Sequence, residues 1–183
     1  MSHISVLLNE TVDALLAGRN TGIYIDGTFG RGGHTRLLLS KLDEHARVYA
    51  FDKDPQALAV AYALEQEDPR FKIIHASFAD LQTELEQLKI THVDGIMADL
   101  GVSSPQLDQA ERGFSFMNDG PLDMRMDNSQ GQTAAEWLVA IEEEDLANVI
   151  YQYGEERYSR RIAKAIKHAG FIDTTAQLAE IVK

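Results

Sequence analysis

The sequence predicts an α/β fold, an open parallel sheet with helices on both faces, followed by a helical segment. Three observations predict it. Short apolar runs alternate with helical stretches from residue 22 to residue 99. Three of the four runs close on aspartate, at Asp26, Asp52 and Asp99. The alternation then stops, and after an irregular stretch of Gly, Pro, Asp, Asn and Ser at 100–132 only helical patterns remain.

Ile23-Tyr24-Ile25-Asp26 is a buried-strand run, and residues 34–42 follow it as a helix. The next strand is 47–52. Asp54-Pro55 then opens a helix, the aspartate as N-cap and the proline in the first turn, where a missing N–H costs nothing. Residues 71–75 form a third strand. Residues 78–88 form an amphipathic helix with Leu81, Leu85 and Leu88 on one side. Residues 93–99 form a fourth strand. Continuous apolar strands separated by helices are the pattern of a parallel sheet buried on both faces. Beyond 132, Thr133-Ala134-Ala135-Glu136 is a capping box, and further helices are expected over 144–153, 155–169 and 174–182.

Composition narrows the function classes. The chain has 183 residues, 44% hydrophobic, and no cysteine. Disulfides, thiolate metal sites and a cysteine nucleophile are therefore excluded. No apolar run approaches the roughly 20 residues of a membrane span, and residues 1–16 lack a basic region before an apolar stretch, so a cytoplasmic protein without a membrane partner is expected. A net charge of −12 is the wrong sign for nucleic acid, so contact with phosphates would need a local basic face. Arg157, Arg160, Arg161, Lys164 and Lys167 recur at helical spacing, opposite Tyr158, Ile162, Ala165, Ile166 and Ala169. They read either as a solvated face or as a stripe that meets RNA phosphates.

Ligands of open α/β sheets sit at the carboxyl ends of the strands. After Asp26 comes Gly27-Thr28-Phe29-Gly30-Arg31-Gly32-Gly33-His34. It is not a G-x-G-x-x-G fingerprint, and reads as a tight strand-to-helix turn or a cradle for a nucleotide-like ligand. Asp52 is placed to accept hydrogen bonds from ribose hydroxyls. Asp26 would meet the ammonium or sulfonium of S-adenosylmethionine (AdoMet) but would repel a pyrophosphate, which favours AdoMet over NAD. Phe78 is either an adenine-packing ring or a core aromatic. Asp99-Leu100-Gly101-Val102-Ser103-Ser104-Pro105-Gln106-Leu107 follows the fourth strand, where a methyl acceptor would meet its donor. An exocyclic base amine is a poor nucleophile, and Ser104 with the Pro105 carbonyl could polarise it. Holding nitrogen, methyl and sulfur in line is mainly a positioning effect. No metal and no covalent nucleophile are required by this chemistry.

Several long strings carry a resemblance: His3-Ile4-Ser5-Val6-Leu7-Leu8-Asn9-Glu10, the glycine run with its preceding Tyr24-Ile25-Asp26, the 99–107 run through Arg112-Gly113-Phe114-Ser115-Phe116, Gly120-Pro121-Leu122-Asp123-Met124-Arg125-Met126-Asp127, and Tyr153-Gly154-Glu155-Glu156-Arg157. On these the chain resembles the RsmH (or MraW) family, bacterial ribosomal small-subunit RNA cytosine-N4 methyltransferases. The resemblance implies a Rossmann-like class I AdoMet-dependent methyltransferase, its parallel sheet incomplete, with an inserted α-helical lobe. The implied division is 1–112 for the AdoMet-binding domain and 113–183 for part of the substrate-binding lobe. It implies an AdoMet site of Gly32, Gly33, His34, Asp52, Phe78, Asp99 and Gln106, with Asp99 also near the reacting centre. It implies as acceptor the N4 amine of a decoding-centre cytidine in 16S rRNA on the assembling small subunit. The family extends further, through a Phe-His-Ser-Leu-Glu-Asp segment absent here, so a truncated chain is expected. Two other readings stand beside this one: a non-catalytic module that binds AdoMet or RNA, and an NAD(P)-dependent oxidoreductase, against which the glycine spacing speaks. The oligomeric state is left open.

Overall fold

A computed structural model describes residues 6–183, so the His3-Ile4-Ser5 start of the first string lies outside the described residues. The chain forms two compact units, 1–101 and 102–183. The functional division implied by the resemblance is at 112/113.

In the first unit β1 (Ile23–Asp26), β2 (Arg47–Asp52), β3 (Phe71–His75) and β4 (Gly95–Met97) form one parallel sheet in the order β3-β2-β1-β4. Helices α2 (Gly33–Lys41), α3 (Pro55–Glu67) and α4 (Leu81–Gln87) lie between successive strands in the sequence, after α1 (Leu8–Leu16). Successive strand residues point to opposite faces. Tyr24 and Val48 join one apolar cluster with Val12 and Leu16 of α1, Leu38 and Leu39 of α2, and Leu58, Ala61 and Leu64 of α3. Ile25, Phe51 and Ile74 join another with Leu85 of α4, against which Leu81 and Leu88 pack. Both faces are thereby covered along β1, β2 and β3, which is why these strands read as continuous apolar runs, whereas Ile96 of β4 is exposed.

Helix α1 is an element that the sequence pattern does not announce. Val12 and Leu16, four residues apart, are its buried positions, and Leu15 lies so close to Gly95 that a Cβ there would fall 2.6 Å from its Cδ1. Strand β4 is shorter than the expected 93–99. Before it, the Asp94 carboxylate accepts the Ile23 N–H (2.9 Å) and pairs with Arg19. At its end, the Met97 carbonyl accepts the Gly27 N–H (2.8 Å), which closes the ladder where β1 turns away. Asp99 therefore stands two residues beyond the strand and not at its end.

The second unit is built from α5 (Ser104–Asp108), α6 (Ala134–Ala140), α7 (Glu143–Gly154), α8 (Ser159–Ala169) and α9 (Thr175–Val182). Its core is Leu122, Leu138, Leu146, Ala147, Ala163, Ile166 and Ile172. The stretch 100–132, expected to be without regular structure, begins with α5 and a single 3₁₀ turn at Ala110–Arg112. The rest is held by polar anchors. Arg112 donates to the carbonyls of Arg125 (3.1 Å) and Met126 (2.8 Å), Arg125 pairs with Asp123 (2.6 Å), and Asp127 accepts from Ser129 and Gln130. Leu122 donates its N–H to the Asp173 carbonyl (2.9 Å) and buries its side chain. Gly113 has φ +72° and faces the Pro121 carbonyl, so a Cβ there would approach to 2.4 Å.

Helix α8 starts four residues later than expected. Glu155 adopts the left-handed conformation that ends α7, so Arg157 precedes α8 and Tyr158 caps it as an exposed ring. Among the described residues no helix is long and apolar enough to cross a membrane.

Candidate functional site

The chain runs outward from β1 to β2 to β3 and then returns to β4 on the other side of β1. This reversal makes a topological switch point between β1 and β4, and open α/β sheets bind their ligands at such a point, at the carboxyl ends of the strands. The glycine turn leaves β1 at this point. Gly32, the N-cap of α2, has φ +75°, and a Cβ on it would lie 2.6 Å from the Phe29 ring, so only glycine fits.

Side chains at the strand ends pin this turn. Asp52 accepts the Gly30 N–H on Oδ2 (2.8 Å), and on Oδ1 the N–H groups of Lys53 (2.7 Å) and Asp54 (2.9 Å). Asp26 accepts the Thr28 N–H (3.0 Å) and the Thr35 hydroxyl (2.6 Å). Thr28 in turn offers its Oγ1 to the Asp99 N–H (2.6 Å). The turn also takes backbone bonds, Gly27 to Met97 (2.8 Å) and Phe29 to Phe51 (3.1 Å).

Asp26 is only 2% exposed. Burial pushes its carboxyl above the ordinary range, opposed by the Thr35 and Thr28 bonds. The sequence reading has it face the cation of a ligand. In the fold its carboxyl is buried and braces the turn through the Thr28 and Thr35 bonds, as a carboxyl this deep needs donors. Phe78 is 46% exposed, which removes the core-aromatic reading. Its Cβ lies 3.5 Å from where a Cβ on Gly27 would stand, so the ring begins beside the turn. Asp99 is exposed.

His34, in the first turn of α2, is buried, and its Nε2 makes no hydrogen bond among the described residues. A buried polar atom without a partner is uncommon in a native fold. It stands beside backbone N–H groups at a helix N-terminus, which favour a carboxylate. The turn thus offers donors suited to a carboxylate, and Asp52 beside it offers acceptors suited to hydroxyl groups. Among the described residues there is no group of three or more His, Asp or Glu side chains able to hold a metal ion.

Within the second unit, Ser104 and Pro105 form the first turn of α5. The Pro105 carbonyl accepts the Gln109 N–H (3.0 Å). Gln106 is 5% exposed, and its amide accepts the Ser103 N–H (2.8 Å) and contacts Met126 Sδ (3.1 Å). It closes a capping box with Ser103.

The expected basic stripe needs two corrections. Arg157 lies outside α8, with its guanidinium 5.2 Å from the Tyr158 ring centroid, the same distance as Arg161 on the helix. Lys167 does not face solvent as a free cation. Its ammonium donates to the carbonyls of Leu138 (3.1 Å), Val139 (2.9 Å) and Ile141 (2.7 Å), acceptors that the end of α6 leaves without helical partners. Arg157, Arg160, Arg161 and Lys164 are the exposed cations of this surface.

Sequence reasoning misses Thr28 and Thr35. The only signal for them is a hydroxyl inside the glycine turn and another in the first turn of the helix behind it, too common to single out.

The sequence pattern of the MraW methylase family matches residues 1–183. The chain belongs to the MraW methylase family. Its relatives in that family include proteins named Ribosomal RNA small subunit methyltransferase H. The one from Acinetobacter baylyi is 84% identical over 183 residues, all of this chain and 60% of the relative. That of Acinetobacter baumannii is 81% identical over the same span, again 60% of the relative. One from a Marinomonas species is 58% identical over 185 residues, 98% of this chain and 58% of the relative. The chain therefore spans about 60% of the length of the curated MraW relatives it matches.

Proposed function

We propose that this chain is the AdoMet-binding part of a methyltransferase that modifies the N4 amine of a decoding-centre cytidine in 16S rRNA on the small ribosomal subunit. The supporting observation is the glycine turn at the switch point, flanked by Asp52, Phe78, Asp99 and the buried His34. Membership of the MraW methylase family and relatives named for small-subunit rRNA methylation support the substrate class.

In this reading the first unit holds the donor. AdoMet supplies a methyl group on a cationic sulfur. Asp52 accepts from the ribose hydroxyls with the lone pairs its backbone partners leave, the exposed ring of Phe78 covers the adenine, and the Gly32-Gly33-His34 turn holds the methionine end. Asp99 lies near the reacting centre. Gln106, Ser104 and Pro105 belong to the second unit. The Ser104 hydroxyl and the Pro105 carbonyl, which keeps one lone pair beside its helical bond, are assigned to the target amine. Arg157, Arg160, Arg161 and Lys164 meet phosphates. The target base must be unstacked before its amine is accessible.

Calorimetric titration with AdoMet and with NAD tests the donor. AdoMet is expected to bind and NAD is not; the reverse would overturn the donor assignment and favour the oxidoreductase reading. Asp52→Asn should weaken AdoMet about tenfold, the cost of one charged hydrogen bond. Ser104→Ala tests the amine assignment, and unchanged turnover would remove Ser104 from it. A second reading is a module that binds donor or RNA without transferring the methyl. Labelled AdoMet with immature small subunits separates the two readings, with the full-length Acinetobacter baylyi relative as reference.

A further inference from the structure

Thr28 is bonded in two directions. Its N–H donates to Asp26 Oδ1 (3.0 Å), while its Oγ1 accepts the Asp99 N–H (2.6 Å). The second oxygen of Asp26 takes the Thr35 hydroxyl (2.6 Å), and Thr35 is fully buried in α2. A continuous path therefore runs from α2 through Thr35, Asp26 and Thr28 to the backbone of Asp99. It joins the segment after β1 to the segment after β4, across the switch point. Strand pairing itself stops at Asp26↔Met97, and beyond that register the Thr28 hydroxyl holds residue 99 to the turn.

We infer that Thr28 is a positioning residue, whose hydroxyl sets Asp99 against the glycine turn and so shapes the donor site. This rests on the reading of the switch point as the AdoMet site. Thr28 touches no reacting atom. It acts through Asp99, by accepting a backbone N–H that would otherwise have no acceptor in the ladder, and through the turn, where its own amide is anchored on a buried carboxylate. Residues of a site must be held within a fraction of an ångström to be productive, and that placement comes from the supporting shell.

Thr28→Val is nearly isosteric. It keeps the backbone bond to Asp26 and removes only the acceptor for Asp99. Thr28→Ser retains that acceptor with less bulk. The full chain with either substitution is titrated with AdoMet in a calorimeter, and the Asp99 amide is followed by nitrogen-15 NMR and hydrogen exchange. Thr28→Val should raise the AdoMet Kd about tenfold, as expected for one lost hydrogen bond, and should shift and deprotect the Asp99 amide. Thr28→Ser should restore both to within about threefold of the parent. If Thr28→Val is folded and binds AdoMet like the parent with Asp99 protected, the inference is overturned and the donor reading stands. If the parent itself binds no AdoMet, the donor reading falls and the inference with it. Should Thr28→Val not fold, Thr28→Ala replaces it, and parent-like AdoMet affinity there overturns the inference as well.

Discussion

Asp26 carries a testable consequence at the scale of one side chain. Its carboxyl is held above the ordinary value of 3.8, first by burial. Between that value and the raised folded one, the folded protein binds more protons than the unfolded chain. Stability therefore falls as pH rises through this window. Asp68 and Asp123 behave oppositely. Hydrogen bonds from Arg70 and Arg125 hold their carboxyls below the ordinary value. Their stabilisation is complete above about pH 4 and is lost as pH falls through the lowered values. Asp26→Asn should flatten the first segment of a stability-against-pH curve and leave the acid limb in place. Chemical denaturation at a series of pH values would show it; an unaltered first segment would mean that Asp26 is not the group responsible.

At the scale of elements, helix ends decide more than helix interiors. Thr133 accepts the Glu136 N–H (3.2 Å), and the Glu136 carboxylate accepts the Thr133 N–H in return (2.9 Å). Removing such a box with Thr133→Ala should cost about 1 kcal/mol in the unfolding free energy of the second unit. At the other end of the same helix Lys167 caps α6 with three bonds. Lys167→Met keeps most of the apolar stem and removes the ammonium, and should lower stability by about 1 to 3 kcal/mol while leaving RNA affinity nearly unchanged. A loss of RNA binding without a loss of stability would return Lys167 to the phosphate-binding set. The buried face of α8, Ala163 and Ile166, lies in the same core as Leu138, so Leu138→Ala, a truncation in that core, should cost about 2 to 5 kcal/mol.

At the scale of the molecule, charge is the central constraint. A chain of net charge −12 repels RNA at long range, and only a local concentration of cations can reverse this at close approach. Arg157, Arg160, Arg161 and Lys164 are exposed, and two of the arginines flank the Tyr158 ring. The double substitution Arg160→Glu and Arg161→Glu should weaken RNA binding and lower its salt slope by roughly 0.7 for each single-strand phosphate that is no longer neutralised. An unaltered slope would show that phosphates are met elsewhere.

Much of this is legible in the sequence. The bounds of β1, β2 and β3 follow from apolar runs between turn residues, because a strand buried on both faces leaves a continuous signature. The capping box at Thr133 marks its helix for a similarly local reason. Gly32 is recognisable because the turn into α2 requires a residue without a Cβ. The direction of Asp26, the true start of α8, the engagement of Lys167 and the grip of Thr28 on Asp99 are not legible. Each depends on a partner brought close by folding, from residues 9 to 71 positions away, or on where a preceding helix happens to stop. Residue type and spacing determine which groups an element can offer. Which of them stay free for a ligand and which are consumed in holding the protein together depends on the acceptors and donors that the tertiary structure places beside them, since a buried polar group must be satisfied by whatever neighbour it meets.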